Sequence, residues 1–128
     1  MRVLLDTHIL LWWLNAHPAL SKSYRAVIAD RTHAVYVSAA SLWEISIKSN
    51  QGKLDVSAST IAALVEQQGF LPLAIDYNHV VTAGGLPLYH KDPFDRLLIA
   101  QAHVEALMIL SVDEIFRHYD VILLASVG

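Results

Sequence analysis

The amino-acid sequence predicts a three-layer α/β fold, in which a central and mostly parallel sheet carries helices on both faces. Segments with strand character alternate with segments of helical periodicity along the 128 residues. Several strand segments are almost continuously apolar, as strands buried on both faces of a parallel sheet are. The length suits one domain. We therefore expect a single domain over residues 1–128.

The first half of the chain contains two predicted strands and three predicted helices. The strands are the apolar run 2–5 and the alternating, β-branched run 34–38, and the helices are 7–16, 19–30 and the segment from Ser38 to Gly52. Thr7 opens the first helix directly after Asp6 ends the first strand. Ser38 or Ser41 can cap the third helix, and Gly52 stops it.

The second half continues the alternation. Its predicted elements are a helix at 60–68, a short strand at 70–75, a short helix at 76–84, a helix from Asp92 onward, a strand at 106–111, a helical turn at 113–119 and a last strand at 121–125. Pro72 favours an edge position for its strand, because proline cannot donate to a central ladder. Asp76 is the expected cap of the helix that follows it.

The stretch HKDPFDRLLIAQA, residues 90–102, places two carboxylates at the start of a helix. Asp92 is a natural N-cap, and Pro93 suits the first helical position. Asp95 falls in the first turn, where a negative charge meets the positive end of the helix dipole. Helix capping alone therefore accounts for both acids on this segment, and evidence for a functional role has to come from other parts of the chain.

The composition is unusually apolar, with 55% hydrophobic residues and a mean hydropathy of +0.42. We therefore expect at least one interface with another protein. The longest apolar run, residues 9–14, is far shorter than the roughly 18 residues of a membrane span. Asp6 interrupts the apolar N-terminal segment too early for a signal peptide. The expectation is a protein without a membrane segment.

The charge and cysteine content exclude several classes of site. The chain has no cysteine, which excludes disulfides, thiolate zinc sites and thiol catalysis, and which fits a reducing cytoplasm. The net charge is −3 and the nine lysines and arginines are scattered, so a generally basic nucleic-acid surface is not expected. Any metal ion would have to be held by oxygen or imidazole ligands.

Four acidic residues are expected at one edge of the sheet, where the carboxyl ends of its strands meet and where α/β proteins bind ligands. They are Asp6, Glu44, Asp95 and Asp113. Each has a structural alternative, since three of them can cap or stabilise a helix start and Glu44 can face solvent. Converging carboxylates repel one another and raise each other's pKa, however, unless a cation neutralises them.

Mg²⁺ and Mn²⁺ are the cations that suit such a set, because hard ions take oxygen ligands. Next to a phosphodiester, ions of this kind activate water and stabilise the leaving oxygen. No protein nucleophile is then required. The chemistry that this pattern favours is hydrolysis of a nucleic-acid backbone.

The sequence resembles the PIN-domain family, and specifically the VapC-type toxins of bacterial toxin–antitoxin pairs. The resemblance is carried by the blocks VLLDTHILLWWL, SAASLWEISIK, HKDPFDRLLIAQA and ILSVDEIF, which occur in this order from the first residues to the last quarter of the chain. It implies a metal-dependent endoribonuclease with a parallel sheet and an RNA substrate. It also implies a homodimer that a cognate antitoxin holds inactive.

Residue by residue, the resemblance assigns the metal ligands and catalytic acids to Asp6, Glu44, Asp95 and Asp113. Thr7 and Ser111 match hydroxyl positions that can orient a ligand or a water molecule. Asp92 is interpreted as the cap that fixes the helix of Asp95, with a supporting role in the site as the alternative. For Arg96 two roles stay open, contact with a phosphate or pairing with an acid.

Other chemically active residues receive structural interpretations. His90 is expected to be a polar turn residue, with phosphate contact as the alternative, and His8 a packed or interface histidine. Trp12, Trp13 and Trp43 have the helical spacing of core or interface residues, although an indole can also stack on a nucleic-acid base.

Three other classes of protein compete with the metal-dependent nuclease as an interpretation of this sequence. A receiver-like phosphoacceptor domain needs a second acid after the first strand and a late lysine, whereas Thr7 follows Asp6 and no lysine follows residue 91. A D-x-D phosphatase fails because position 8 is His8. An inactive PIN-like module that binds protein or RNA without cutting stays open, because every proposed ligand can be present while the substrate groove is blocked.

Overall fold

The computed structural model describes residues 1–125. The strands are β1 (Arg2–Leu5), β2 (Ala34–Ser38), β3 (Leu71–Leu73) and β4 (Met108–Leu110). The helices are α1 (Thr7–Leu14), α2 (Lys22–Ala29), α3 (Ala39–Asn50), α4 (Ala58–Gln67), α5 (Tyr77–Gly85) and α6 (Pro93–Glu105), and a 3₁₀ helix spans Glu114–His118. The C-terminal end of the predicted domain, residues 126–128, lies outside the described part.

The strands form one parallel sheet in the order β3-β2-β1-β4. The central strand β1 pairs on both sides, with Leu4 opposite Tyr36 on β2 and Ile109 on β4. Pro72 lies on the edge strand β3, as its missing N–H predicts. The predicted α/β class with a parallel sheet is therefore confirmed.

The last predicted strand, residues 121–125, contracts to a single parallel bridge between Leu123 and Ile109. Two backbone hydrogen bonds hold this bridge, from Ile109 N–H to Ile122 and from Leu124 N–H to Ile109. None of residues 121–125 is buried. Val121 and Leu123 are only partly buried against the second core, so a longer ladder would gain little apolar burial, which explains the short pairing.

Two apolar cores cover the two faces of the sheet. The alternation of β1 divides its side chains between them, with Val3 and Leu5 in one core and Leu4 in the other. Burial of one such side chain stabilises the fold by about 1.5–3 kcal/mol. Helices α1 to α4 contribute to the first core, and α6 with the 3₁₀ helix to the second. Within residues 1–125, no helix is both long and apolar enough to cross a membrane.

Candidate active site

Asp6 stands at the point where β1 becomes α1. Its backbone N–H donates to Leu110 on β4, and its side-chain Oδ1 accepts a hydrogen bond of 3.3 Å from the N–H of His8. Asp6 therefore caps α1, as one of the two sequence interpretations held. The same carboxylate is only 4% exposed. Burial raises its pKa, the hydrogen bond from Ser111 opposes the shift, and the charge of Glu44 adds to it.

Ser111 connects Asp6 to Asp113. Its hydroxyl donates to Oδ2 of Asp6 over 2.6 Å and accepts the backbone N–H of Asp113 at 3.0 Å. Asp113 also caps the 3₁₀ helix, since its Oδ1 accepts from the N–H of Ile115 at 3.0 Å. The loop that leaves β4 thus holds both acids in fixed positions. Thr7 is buried beside them, and its hydroxyl donates to Ser41 on α3 over 2.9 Å.

Glu44 projects from α3 and is 5% exposed. Its Oε2 lies 2.9 Å from the ammonium nitrogen of Lys48, one helical turn later. Its Oε1 is the single buried side-chain oxygen or nitrogen in residues 1–125 that lacks a hydrogen-bond partner. A buried carboxylate oxygen without a donor is costly. An oxygen of this kind suits coordination of a hard cation.

Asp92 caps α6. Its Oδ1 accepts the N–H of Phe94 at 2.8 Å and the N–H of Asp95 at 3.2 Å, and Pro93 occupies the first turn. The capping role predicted for Asp92 is therefore present in the structure. Because Asp92 accepts the N–H groups of the first turn, the carboxylate of Asp95 is not needed as a cap and is available for the site.

His90 joins Asp95 to Asp113. Its Nε2 lies 3.0 Å from Oδ2 of Asp95 and 2.9 Å from Oδ2 of Asp113. Its Nδ1 accepts the N–H of Asp92, so the neutral ring carries its proton on Nε2 and donates it to the acids. Potential ligand atoms of His90, Asp95 and Asp113 lie within 4.8 Å of one another. Asp6 and Glu44 are not members of this tight group.

The electrostatics show that all these acids share one region. The pKa of Asp95 is raised to about 8, first by burial and then by the charges of four neighbouring carboxylates, those of Asp6, Asp92, Glu44 and Asp113. At neutral pH the metal-free site therefore keeps a proton on Asp95. The pKa of Lys48 is raised mainly by its hydrogen bond to Glu44, with further contributions from Asp92 and Asp95.

The guanidinium of Arg96 contacts backbone carbonyls rather than an acid, and its contact with a phosphate stays a prediction. The guanidinium donates to four backbone carbonyls, those of Ala83, Leu86, Pro87 and His90. Tyr119 holds the same segment, because its hydroxyl accepts the N–H of His90 at 2.6 Å and donates to Pro87 at 2.7 Å. Arg96 and Tyr119 thereby fix the irregular loop that carries His90.

Sequence reasoning missed two members of the site. His90 was interpreted as a turn residue, although its place next to the D-P-F-D segment was a usable signal. Lys48 received no role, although its i, i+4 spacing from Glu44 predicts an ion pair on a helix. Both bring positive or proton-donating groups to the carboxylates.

The aromatic residues divide into two sets. Trp12 and Trp13 pack against the first core, as predicted, and Trp13 also donates to Gln68 over 3.0 Å. Trp43 is 58% exposed and contacts Phe94 edge-on, so it is not a core residue. His8 is exposed, so it is not packed in the core, and its predicted role at an interface stays a prediction.

A second group of acids and histidine, Asp76, His79 and Glu105, lies between α5 and α6. Nδ1 of the buried His79 accepts the N–H of Asp76, and its Nε2 lies 2.9 Å from Glu105. Both ring nitrogens are thus satisfied within a capping box and an inter-helix hydrogen bond. This group fastens α5 to α6.

Carboxylates follow strands β1 and β4 of the parallel sheet. The model of the PIN domain matches residues 3–122, and the chain belongs to the PIN-domain family. It is 35% identical over 82 residues to Ribonuclease VapC16 of Mycobacterium tuberculosis (strain ATCC 25618 / H37Rv). That alignment covers 57% of this chain and 58% of the relative, so the chain matches less than two thirds of the relative's length.

Solved structures of other proteins share the fold. A chain in the structure of VapBC2 from Rickettsia felis bound to a DNA fragment from their promoter gives a TM-score of 0.71 at 16% identity, covering 98% of each chain. FitAcB from Neisseria gonorrhoeae gives a TM-score of 0.61 at 20% identity, covering 98% of this chain and 97% of the other. At identities of 16% and 20%, the similarity to these structures shows a shared fold alone.

Proposed function

We propose that this protein is a metal-dependent endoribonuclease and the toxin of a toxin–antitoxin pair. The observation that carries the proposal is the unpartnered, buried Oε1 of Glu44 in a region shared with three aspartates. Membership of the PIN-domain family and the similarity to a protein named Ribonuclease VapC16 support it.

The residues that would hold a divalent cation are Asp6, Glu44, Asp95 and Asp113. An all-carboxylate set suits Mg²⁺ or Mn²⁺, because both are hard ions that take oxygen ligands. When bound, such an ion polarises the phosphodiester, activates water for attack at phosphorus and stabilises the charge that develops on the leaving oxygen.

The protein's own residues would prepare the site for this ion. Ser111 orients Asp6 through its hydroxyl, and Asp92 fixes the helix turn that carries Asp95. His90 holds Asp95 and Asp113 through Nε2. Lys48 supplies a positive charge that faces the same carboxylates and can turn to a phosphate group of RNA.

The substrate proposed is RNA, with single-stranded segments or loops as the general expectation. The net charge of −3 means that affinity for the backbone has to come from the cation and from local groups such as Lys48. A toxin of this type would act on cellular RNA, so the proposal places the protein in the cytoplasm.

The proposal includes an antitoxin partner and a homodimer. The similar solved structures are those of VapBC2 from Rickettsia felis, bound to a DNA fragment from their promoter, and of FitAcB from Neisseria gonorrhoeae. Exposed apolar side chains on α5 and the loop after it supply surface that a second protein would cover, among them Tyr77 at 92%, Val81 at 74% and Leu88 at 79% exposure. Co-expression with the neighbouring reading frame should yield a co-purifying complex and relieve growth arrest.

Cleavage of RNA by the purified protein tests the enzymatic proposal. We expect cleavage with Mg²⁺ or Mn²⁺, loss of cleavage after chelation, and no recovery in Asp95→Asn when metal is returned. RNA binding without cleavage under all metal conditions would favour the inactive interaction module instead. A Gln67→Ala protein, altered at an exposed residue at the end of α4, serves as the matched active control.

A further inference from the structure

Trp43 is an exposed indole beside the candidate active site. It keeps 58% of its surface in solvent, whereas Trp12 and Trp13 are half-buried against a core. Removing so large an apolar ring from water would be favourable, and the isolated chain does not gain this free energy because the ring stays exposed. A ligand that covers the ring would recover it.

Two aromatic residues flank the site from two helices. Trp43 precedes Glu44 on α3, and Phe94 precedes Asp95 on α6. Their ring centroids are 5.2 Å apart with an angle of 77° between the planes, an edge-to-face contact. Each aromatic residue directly precedes a proposed ligand in the sequence, and the ring pair bridges the two helices that carry those ligands.

The platform formed by Trp43 and Phe94 rests on fixed backbone. The N–H of Phe94 is held by the carboxylate of Asp92 in the first turn of α6. On α3, Glu44 and Ile45 directly after Trp43 are buried and anchor that turn. An aromatic side chain on such a support loses little conformational freedom when it binds a flat ligand.

We infer that Trp43, supported by Phe94, is a stacking subsite for a base of single-stranded RNA next to the scissile phosphate. The inference rests on the proposed function and extends it to substrate positioning. Every base has an apolar face, so stacking gives affinity without sequence preference. It also compensates for the scattered basic residues of a chain with a net charge of −3.

Binding of a short single-stranded oligoribonucleotide in the presence of chelator tests the subsite without cleavage. Wild-type fluorescence should be quenched on binding, and Trp43→Phe should lose most of this quenching while keeping part of the affinity. Trp43→Ala should weaken binding by between about 5-fold and 100-fold, the range that loss of one stacked base predicts. Gln67→Ala, altered at an exposed residue at the end of α4, should bind as the wild type does.

Kinetics and a modified substrate separate stacking from a structural effect. Trp43→Ala should raise KM and leave kcat nearly unchanged, because stacking binds ground state and transition state alike. An oligonucleotide with one abasic position next to the cleavage site should lose affinity for the wild type to the same extent. The same oligonucleotide should then show no further loss with Trp43→Ala.

The results distinguish this inference from the proposed function. Normal cleavage together with unchanged binding and KM in Trp43→Ala would overturn the subsite and leave the nuclease proposal standing. A loss of affinity that is equally large on intact and abasic RNA would also overturn it, as would a variant that binds RNA normally and loses only a co-purifying protein partner. Trp43-dependent RNA binding without any cleavage would support the subsite and contradict the nuclease.

Discussion

Lys48 lies one turn after Glu44 on α3, and its ammonium nitrogen is 2.9 Å from Oε2 of that carboxylate. The other oxygen, Oε1, is buried without a hydrogen-bond partner. Lys48 therefore supplies a counter-charge for one half of a carboxylate whose other half is left unsatisfied. A bound cation would compete with Lys48 for Glu44 and relieve the repulsion among the acids.

Replacement of Lys48 by methionine should expose this competition. Metal-free Lys48→Met should be less stable by about 1–2 kcal/mol, a value reduced for the partial exposure of the ion pair. Saturating Mg²⁺ should restore most of the loss, so the metal-induced rise in Tm should exceed that of the wild type. Thermal unfolding with and without metal measures both effects.

Lys53→Met is the matched control for this change, because Lys53 is an exposed lysine shortly after the same helix. It should leave the metal-induced rise in Tm unaltered. An identical metal-induced rise in Lys48→Met and the wild type would contradict a counter-charge role for Lys48.

Asp95→Asn and Asp92→Asn should separate the metal ligand from the helix cap. Asp95→Asn keeps the shape of a side chain that is already protonated at neutral pH in the metal-free protein, so the metal-free variant should be no less stable than the wild type, while the metal-induced Tm rise disappears and RNA cleavage falls by more than about 100-fold. Asp92→Asn preserves capping and should change stability by less than about 0.5 kcal/mol. Melting curves and cleavage assays on both proteins give the comparison.

Equal loss of activity in the two variants would show that Asp92 does more than cap α6. Full metal response and full activity in Asp95→Asn would remove Asp95 from the metal site.

The stability of the metal-free protein should fall as pH rises. The pKa of Asp95 is about 8 in the folded protein, against about 3.9 for an unfolded aspartate. Below the unfolded value both states are protonated and this group has no effect. Between the two values the folded state holds a proton that the unfolded state releases, so stability declines until pH passes the folded value. The raised pKa of Asp6 acts in the same direction.

Thermal unfolding of the metal-free protein between about pH 5 and pH 9 should show this decline, and Asp95→Asn should flatten it. The metal-induced Tm rise should grow over the same range, because the cation has to displace the proton. Subtracting the pH dependence of Tm of Asp95→Asn from that of the wild type isolates the contribution of Asp95. It removes the contributions of the other titratable or charged groups that face Asp95, which are Asp6, Glu44, Lys48, His90, Asp92 and Asp113. A wild-type curve as flat as that of the variant would contradict the prediction.

Arg96→Lys should loosen the loop that positions His90. A lysine ammonium cannot reproduce the planar set of donors that reaches four carbonyls, so we expect a loss of about 2 kcal/mol in urea unfolding. Proteolysis in the segment 86–92 should become faster. Arg117→Lys is the matched control, since Arg117 pairs with Glu114 on the exposed 3₁₀ helix, and it should change stability by less than about 0.5 kcal/mol. Equal unfolding curves for both variants would show that the Arg96 contacts add little.

The sequence alone determined the order of elements and the class of fold. The signals for both are local, because the apolar pattern, helix capping and a positive φ are set by residues close together in the chain. Examples are the apolar run 2–5, the cap Asp92 and the helix stop at Gly52. The rule that parallel strands end at one edge also brought Asp6, Asp95 and Asp113 together from distant segments. The same local signals failed for residues 121–125, because strand length depends on a partner and a buried face.

Only the tertiary structure decided what surrounds each acid. His90 contacts Asp113 at a sequence separation of 23 residues, Arg96 binds the carbonyl of Ala83 at a separation of 13, and Oε1 of Glu44 is buried without a hydrogen-bond partner. Hydrogen bonds and pKa shifts depend on distances of a few ångströms and on exclusion of water. Composition and periodicity carry no such distances, and side-chain packing therefore determined the electrostatics of the site.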